Sequence, residues 1–353
     1  MARFGKFTFL IGILFAVAVL EFIGLAGVLL ENGNLQAQLE ELQADAAPDG
    51  DGEQGLDTET PSWLEPAPEE VVEKEPPAGE LTAAEILARE RIIAHGLGAV
   101  DDISVLNCLE GFLSQYAQGV RVFEVDLRLT RDQRVVLRHD WRAGWQRGVS
   151  EANVPTLEEF LEKSILRKYT PLSFQDLLLL MEEYPDICIV TDSKFTDAEI
   201  VTLQFEAMLQ DARELGLSYL FDRMIIQVYS PLMYRVVDRL HHFDNYIYTL
   251  YADGFPGTEA AFAERAQFCE NKGILGITMW ASWWRPEYKE IAEEHGIVVF
   301  THTVNEPEVA ISLLESGVSA VYTDILSPRD LGGRDENIGG DDSHGPDRED
   351  FIE

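Results

Sequence analysis

From residue 81 onward, short apolar, β-branched runs alternate with stretches whose apolar positions recur at helical spacing. Eight runs predict strands: Ile92–His95, Val122–Leu127, Ile187–Ser193, Met224–Val228, Tyr246–Leu250, Ile274–Met279, Ile297–Thr301 and Ala320–Thr323. Between them, Ser173–Tyr184, Asp197–Leu215, Glu259–Asn271 and Glu306–Ser316 carry amphipathic helical patterns. Strands separated by helices call for a parallel sheet with right-handed crossovers, and eight of them favour closure into a (β/α)8 TIM barrel over 81–329. Arg134–Leu137 follows the second strand directly and predicts a hairpin extension. Residues 141–172 show little periodicity and read as an insertion over one end of the barrel.

Upstream of the barrel the pattern changes. Phe7–Leu30 is an apolar run broken only by Glu21. As a helix at 1.5 Å per residue it would be about 36 Å long, enough to cross a bilayer. Glu21 costs at most roughly 3 kcal/mol, which the surrounding Leu, Ile, Phe and Val offset. Arg3 and Lys6 precede the run and acids follow it, so the positive-inside rule puts the rest of the chain outside. The run exceeds a signal-peptide core, and no small-x-small cleavage pattern follows, which favours an uncleaved anchor. The expected organisation is a transmembrane anchor in 1–30, an acidic disordered tether in 31–80, the barrel, and an acidic disordered tail in 330–353.

Charge sharpens this division. The 353 residues hold 27 Lys+Arg against 63 Asp+Glu, a net charge of −36. Of those 36 units, 20 fall within residues 37–80 and 330–353, which are too poor in large apolar side chains to order themselves. Nothing is basic enough to neutralise phosphates along a nucleic acid or to grip anionic lipid through a polybasic patch. Cys108, Cys188 and Cys269 are sparse and odd in number, so buried free thiols are expected rather than disulfides or a CxxC metal pair.

The polar residues with chemical potential gather at predicted strand ends. His95 ends the first strand. Glu124 and Asp126 lie two apart on the second, hence on one face, and Asp192 and Lys194 repeat that spacing after the third. In a parallel barrel these ends share one mouth. Three carboxylates brought together there would repel unless a cation sits among them, and hard oxygen ligands suit Ca2+ or Mg2+. His95 and His139 could act as an acid–base pair at the same mouth. Trp280, Trp283 and Trp284 follow the sixth strand and could wall it, while His302 is open to a structural or a substrate-binding role. His241 and His242 end a helical stretch, where only its carboxyl-end dipole is expected to engage them. These residues alone describe a metal-assisted hydrolase.

The full spacing is more specific. His95, Asn107-Cys-Leu-Glu-Gly-Phe112, Glu124-Val-Asp126, His139-Asp140, Asp192-Ser-Lys194, Thr303-Val-Asn305 and Tyr322-Thr-Asp324 together resemble the glycerophosphodiester phosphodiesterase family over nearly all of 92–328. The resemblance implies a phosphodiester-hydrolysing barrel related to phosphatidylinositol-specific phospholipases C. It implies divalent-metal ligands at Glu124, Asp126 and Asp192, acid–base histidines at His95 and His139, and a charge-stabilising Lys194. Three positions depart from the family: Gly96 stands where arginine usually contacts phosphate, Asp192 replaces a more frequent Glu, and Phe300-Thr301-His302 replaces a tryptophan. Arg128, Arg142 and Arg147 are candidates for the missing guanidinium, with Arg128, Trp280 and His302 taken as substrate-binding. The expected substrates are glycerophosphodiesters, lipid head groups or a glycerol-phosphate surface polymer. Rival readings are a lyase releasing a cyclic phosphate and a non-catalytic surface-polymer-binding protein, for which Gly96 is the argument.

Overall fold

The computed structural model describes residues 71–77, 79, 81–141 and 149–332. The expected membrane span, most of the tether, nearly all of the tail, and Arg142 and Arg147 lie outside the described residues. Among the described residues, no helix is long and apolar enough to cross a membrane. The described residues divide into a small unit, 71–72 with 140–141 and 149–155, and a large one, which holds the described residues of 73–139 and 156–332. In the small unit Ser150 and Asn153 close a tight turn, and the Trp141 N–H donates to the Glu151 carboxylate at 3.0 Å.

The large unit is an eight-stranded parallel barrel. Its strands are β1 (Ile92–Ala94), β2 (Val122–Leu129), β4 (Cys188–Asp192), β5 (Met224–Val228), β6 (Tyr246–Thr249), β7 (Gly276–Trp280), β8 (Val298–His302) and β9 (Ala320–Thr323), with β3 (Val135–Leu137) appended to β2. Parallel pairings run from β2 through β4 to β9, then β9 to β1, and β1 closes on β2 through Ala94 and Phe123. β3 pairs antiparallel with β2 as the hairpin expectation required. Two shifts from the sequence reading matter: β7 and β8 extend to Trp280 and His302, which pair in register beyond the apolar stretch. The buried apolar run ends before the hydrogen-bond ladder does, because the last residues face the mouth rather than the core.

The helices are α1 (Ala83–Leu87), α2 (Leu109–Ala117), α3 (Leu157–Leu161), α4 (Phe174–Glu183), α5 (Ala198–Leu215), α6 (Pro231–Leu240), α7 (Glu259–Lys272), α8 (Glu287–Glu294) and α9 (Pro307–Ser316). α5 begins on the Asp197 side chain, which accepts from the Glu199 and Ile200 N–H groups. It ends at Gly216, whose φ of 67° suits the left-handed position after a helix. The supposedly aperiodic 141–172 stretch is divided: 156–172 belongs to the barrel unit and carries α3 behind a Thr156–Glu159 capping box.

α1 explains how the barrel is closed below the site. Ala83, Ile86 and Leu87 pack with the inward-facing Val122, Cys188, Val190, Ile225, Ile247, Phe300 and Tyr322. Fully burying each such aliphatic side chain contributes roughly 1.5–3 kcal/mol, so the opposite mouth alone is left for polar chemistry. The packed unit begins upstream of Leu81: the Lys74 N–H donates to the Gly216 carbonyl at 2.8 Å, and Ser218 Oγ donates to Glu73 at 2.8 Å. All three cysteines are buried free thiols, as expected. His241 and His242 differ from expectation. His242 pairs with Asp238 one turn earlier at 2.6 Å, and His241 packs against Phe243 with ring centroids 4.7 Å apart.

Candidate active site

β1 delivers His95 to the barrel mouth, and the loop after β9 fixes it. His95 Nδ1 bonds to Asp324 Oδ1 at 2.8 Å, leaving Nε2 4.0 Å from Glu124 Oε2. Asp324 is itself clamped by Asn305: the Asn305 amide donates to Asp324 Oδ2 at 2.7 Å, and the Asp324 N–H donates to Asn305 Oδ1 at 2.8 Å. The Thr303-Val-Asn305 and Tyr322-Thr-Asp324 stretches therefore act together to orient one histidine. Burial opposes a charge on His95. The Asp324 hydrogen bond and the nearby Glu124 and Asp126 outweigh that and push its pKa up to about 9.

Glu124 and Asp126 are buried on β2. Register sets Asp126 opposite Asp192 on β4, so two carboxylates lie side by side. Asn107 grips Asp126 twice: its amide donates to Asp126 Oδ2 at 2.6 Å, and its Oδ1 accepts the Asp126 N–H at 2.9 Å. Asp126 Oδ1 lies 2.6 Å from the Lys194 ammonium. Burial alone would raise the Asp126 pKa, but Lys194, His139 and His95 hold it below the usual carboxylate range. Glu124 goes the other way. Burial and then Asp126 push it up, against the pull of His95. Its Oε2 accepts the Gly96 N–H at 2.7 Å, whereas its buried Oε1 has no hydrogen-bond partner among the described residues.

Lys194 follows β4 with φ 56°, a left-handed conformation costing a non-glycine residue roughly 1–2 kcal/mol. That turn puts its ammonium between Asp126 and Asp192, which raise its pKa despite burial. Asp192 also accepts from the Tyr229 hydroxyl and from the Tyr251 hydroxyl at 2.9 Å. Among the described residues, the compact group in which each offers one ligand atom within 4.8 Å of the others is His95, Glu124 and Asp126. Asp192 stands beside it across Lys194, with its oxygens engaged by the lysine and the two tyrosines.

His139 reaches the mouth through the β2–β3 hairpin. The Arg138 N–H donates to the Asp126 carbonyl at 2.8 Å, and Arg128 Nε donates to the His139 carbonyl at 3.1 Å. Arg128 also lies over the Phe195 ring, 5.4 Å from its centroid, so it shapes the His139 loop. Trp280 and His302 pair at the ends of β7 and β8 with ring centroids 4.5 Å apart. Trp283 and Trp284 turn to other partners: Trp283 packs on Phe255, and Trp284 Nε1 donates to Ser316 Oγ at 2.8 Å.

Gly96 has a structural cause. Its φ is 56°, and a Cβ there would sit 2.7 Å from the Val105 Cα. The loop leading to Asn107 thus fills the space a side chain at 96 would need. Asn107, Asn305 and Asp324 were visible in the sequence as parts of motifs, without roles. Tyr229 and Tyr251 gave no signal beyond following β5 and β6 closely.

The sequence profile of the glycerophosphoryl diester phosphodiesterase family matches residues 104–326, well over half the chain. The chain belongs to that family and is a phosphoric diester hydrolase. Solved structures share the fold. A glycerophosphodiester phosphodiesterase from Parabacteroides distasonis superposes with a TM-score of 0.55 at 16% identity, covering 69% of this chain and 95% of its own. A phosphodiesterase from Oleispira antarctica, in complex with the product sn-glycerol-3-phosphate, gives 0.53 at 16% identity, covering 67% and 93%. A search of curated proteins finds no match.

Proposed function

We propose that this chain is a divalent-cation-assisted phosphodiesterase acting on glycerophosphodiesters, or on a related glycerol-phosphate lipid head group or surface polymer. The observation that carries the reading is the convergence of an Asp324-oriented histidine with Glu124, Asp126 and Lys194 at one barrel mouth. The residues fit a hard cation. Buried Glu124 Oε1 lacks a partner among the described residues, and Asp126 and a histidine nitrogen lie within 4.8 Å of the glutamate's ligand atom. Glu124 and Asp126 would hold Ca2+ or Mg2+, and Asp192 would join them by releasing part of its tyrosine and lysine contacts. When bound, such a cation polarises phosphoryl oxygens as a Lewis acid.

The chain's own groups do the rest. Lys194, fixed between two carboxylates, places a permanent positive charge where an anionic phosphoryl group would lie. His95, held by Asp324, presents Nε2 toward Glu124 and can carry a proton at that atom. His139 supplies the second proton carrier, so one histidine takes the proton of the attacking oxygen and the other protonates the leaving alkoxide. Asn107 keeps Asp126 rigid while this happens. The apolar run Phe7–Leu30 supports a single-pass anchor with the barrel outside the membrane, a reading tested by protease digestion of intact cells. Turnover of glycerophosphocholine should fall at least about a hundredfold in Glu124→Gln and His139→Ala and cease with chelator. Wild-type rates in either variant overturn the assignment.

A further inference from the structure

At the mouth, the ends of β7 and β8 carry a polar group that nothing among the described residues satisfies. Trp280 and His302 are register partners, and Tyr251 lies 5.6 Å from the His302 ring and 6.1 Å from that of Trp280. Tyr251 also bonds Asp192, so this wall is continuous with the acidic site. Trp280 is 44% exposed, although it ends a barrel strand whose other residues are buried. Neither ring nitrogen of His302 has a hydrogen-bond partner among the described residues, and Nε2 is buried. A buried polar group left unpaired costs about 1–3 kcal/mol, a cost that a ligand able to pair with it would remove.

The imidazole is neutral. Burial pushes its pKa down to about 3, and the positive charges of His95 and Lys194 act in the same direction. A neutral imidazole offers one N–H donor and one acceptor lone pair. An alcohol hydroxyl, which both donates and accepts, is its complement. A quaternary ammonium could use the aromatic faces but would leave the imidazole unpaired, as would a plain alkyl group.

We infer that Trp280, Tyr251 and His302 form the subsite for an alcohol portion of the phosphodiester, with His302 hydrogen-bonded to one of its hydroxyls. Polyol phosphodiesters are then preferred over those of quaternary ammonium or simple alkyl alcohols. This inference rests on the phosphodiester reading above. It names the group that selects the substrate.

The test compares two diesters on the full-length protein with divalent cation: glycerophosphoglycerol, and its analogue in which propanol replaces both glycerols. The wild type should favour the polyol in kcat/KM by about tenfold or more, equivalent to about 1.4 kcal/mol. His302→Phe should bring that ratio close to one, and His302→Gln, which keeps a donor and an acceptor, should restore part of it. A wild type without preference, or a His302→Phe loss equal on both diesters, overturns the subsite. If neither diester is turned over, the phosphodiester reading fails. The subsite is then judged by tryptophan-fluorescence titration with glycerol 3-phosphate and propyl phosphate. A glycerol preference lost in His302→Phe supports it; equal affinities overturn it.

Discussion

Replacing Gly96 with alanine adds a single carbon, and the structure allows its cost to be worked out. The residue has φ 56°, and the new Cβ would stand 2.7 Å from the Val105 Cα and 3.1 Å from Val105 Cγ1. The left-handed conformation costs an L-residue about 1–2 kcal/mol. Relieving overlap with backbone, which cannot rotate away, adds about 1–2 kcal/mol. The total of about 2–4 kcal/mol corresponds to a fall in Tm of roughly 5–15 °C for a barrel of this size. Function should suffer beyond stability, because the Gly96 N–H that holds Glu124 Oε2 at 2.7 Å sits on the strained peptide. Gly96→Arg, which restores the residue usual in the family, should be at least as destabilised and should not raise activity. Thermal unfolding followed by circular dichroism, with turnover measured well below Tm, checks both statements. A Gly96→Ala protein with wild-type Tm would refute the claim that the 97–107 loop excludes a side chain at this position.

Other perturbations follow from the same geometry. Asn107→Leu removes two hydrogen bonds from buried Asp126 and should cost about 3 kcal/mol in urea unfolding; a loss below about 1 kcal/mol would show that Asp126 is held otherwise. Lys194→Met leaves Asp126 and Asp192 without their cation, and should lower both stability, by about 3–5 kcal/mol, and kcat/KM. Unchanged kinetics in that variant would remove Lys194 from the mechanism. His95 binds its proton more tightly in the folded protein, its pKa rising from 6.5 to about 9. The stability this supplies is complete below about pH 6.5 and is lost as pH rises through about 9. Measured in chelator, the Tm gap between wild type and His95→Gln should therefore narrow from pH 6 to pH 10. A gap independent of pH would mean that the Asp324 pair contributes nothing through protonation.

Much of the barrel was legible because parallel strands are apolar on both faces and stand out from the helical periods between them. Ala320–Thr323 and Met224–Val228 were found to the residue. The ends of β7 and β8 were not, since Trp280 and His302 face the mouth and break the apolar run while the ladder continues. The carboxylates were legible for the reason that makes them functional: Glu124 and Asp126 interrupt a buried strand, where charge needs a partner. Asp192 shows what spacing cannot tell. Its position was right, but Tyr229 and Tyr251, which bond it from β5 and β6 ends, are contributed by residues 37 and 59 positions away. Gly96 read as a missing phosphate contact, and only the three-dimensional path of the loop to Asn107 shows that no side chain could stand there.

The central claim is that the mouth built by His95, Glu124, Asp126, His139 and Lys194 hydrolyses glycerophosphodiesters with the help of a divalent cation. Phosphorus NMR of glycerophosphoinositol incubated with the full-length protein tests it most directly. The account predicts glycerol phosphate as the phosphorus product with Ca2+ or Mg2+ present, and unchanged substrate when chelator is added. A cyclic phosphate formed equally well in chelator would contradict it.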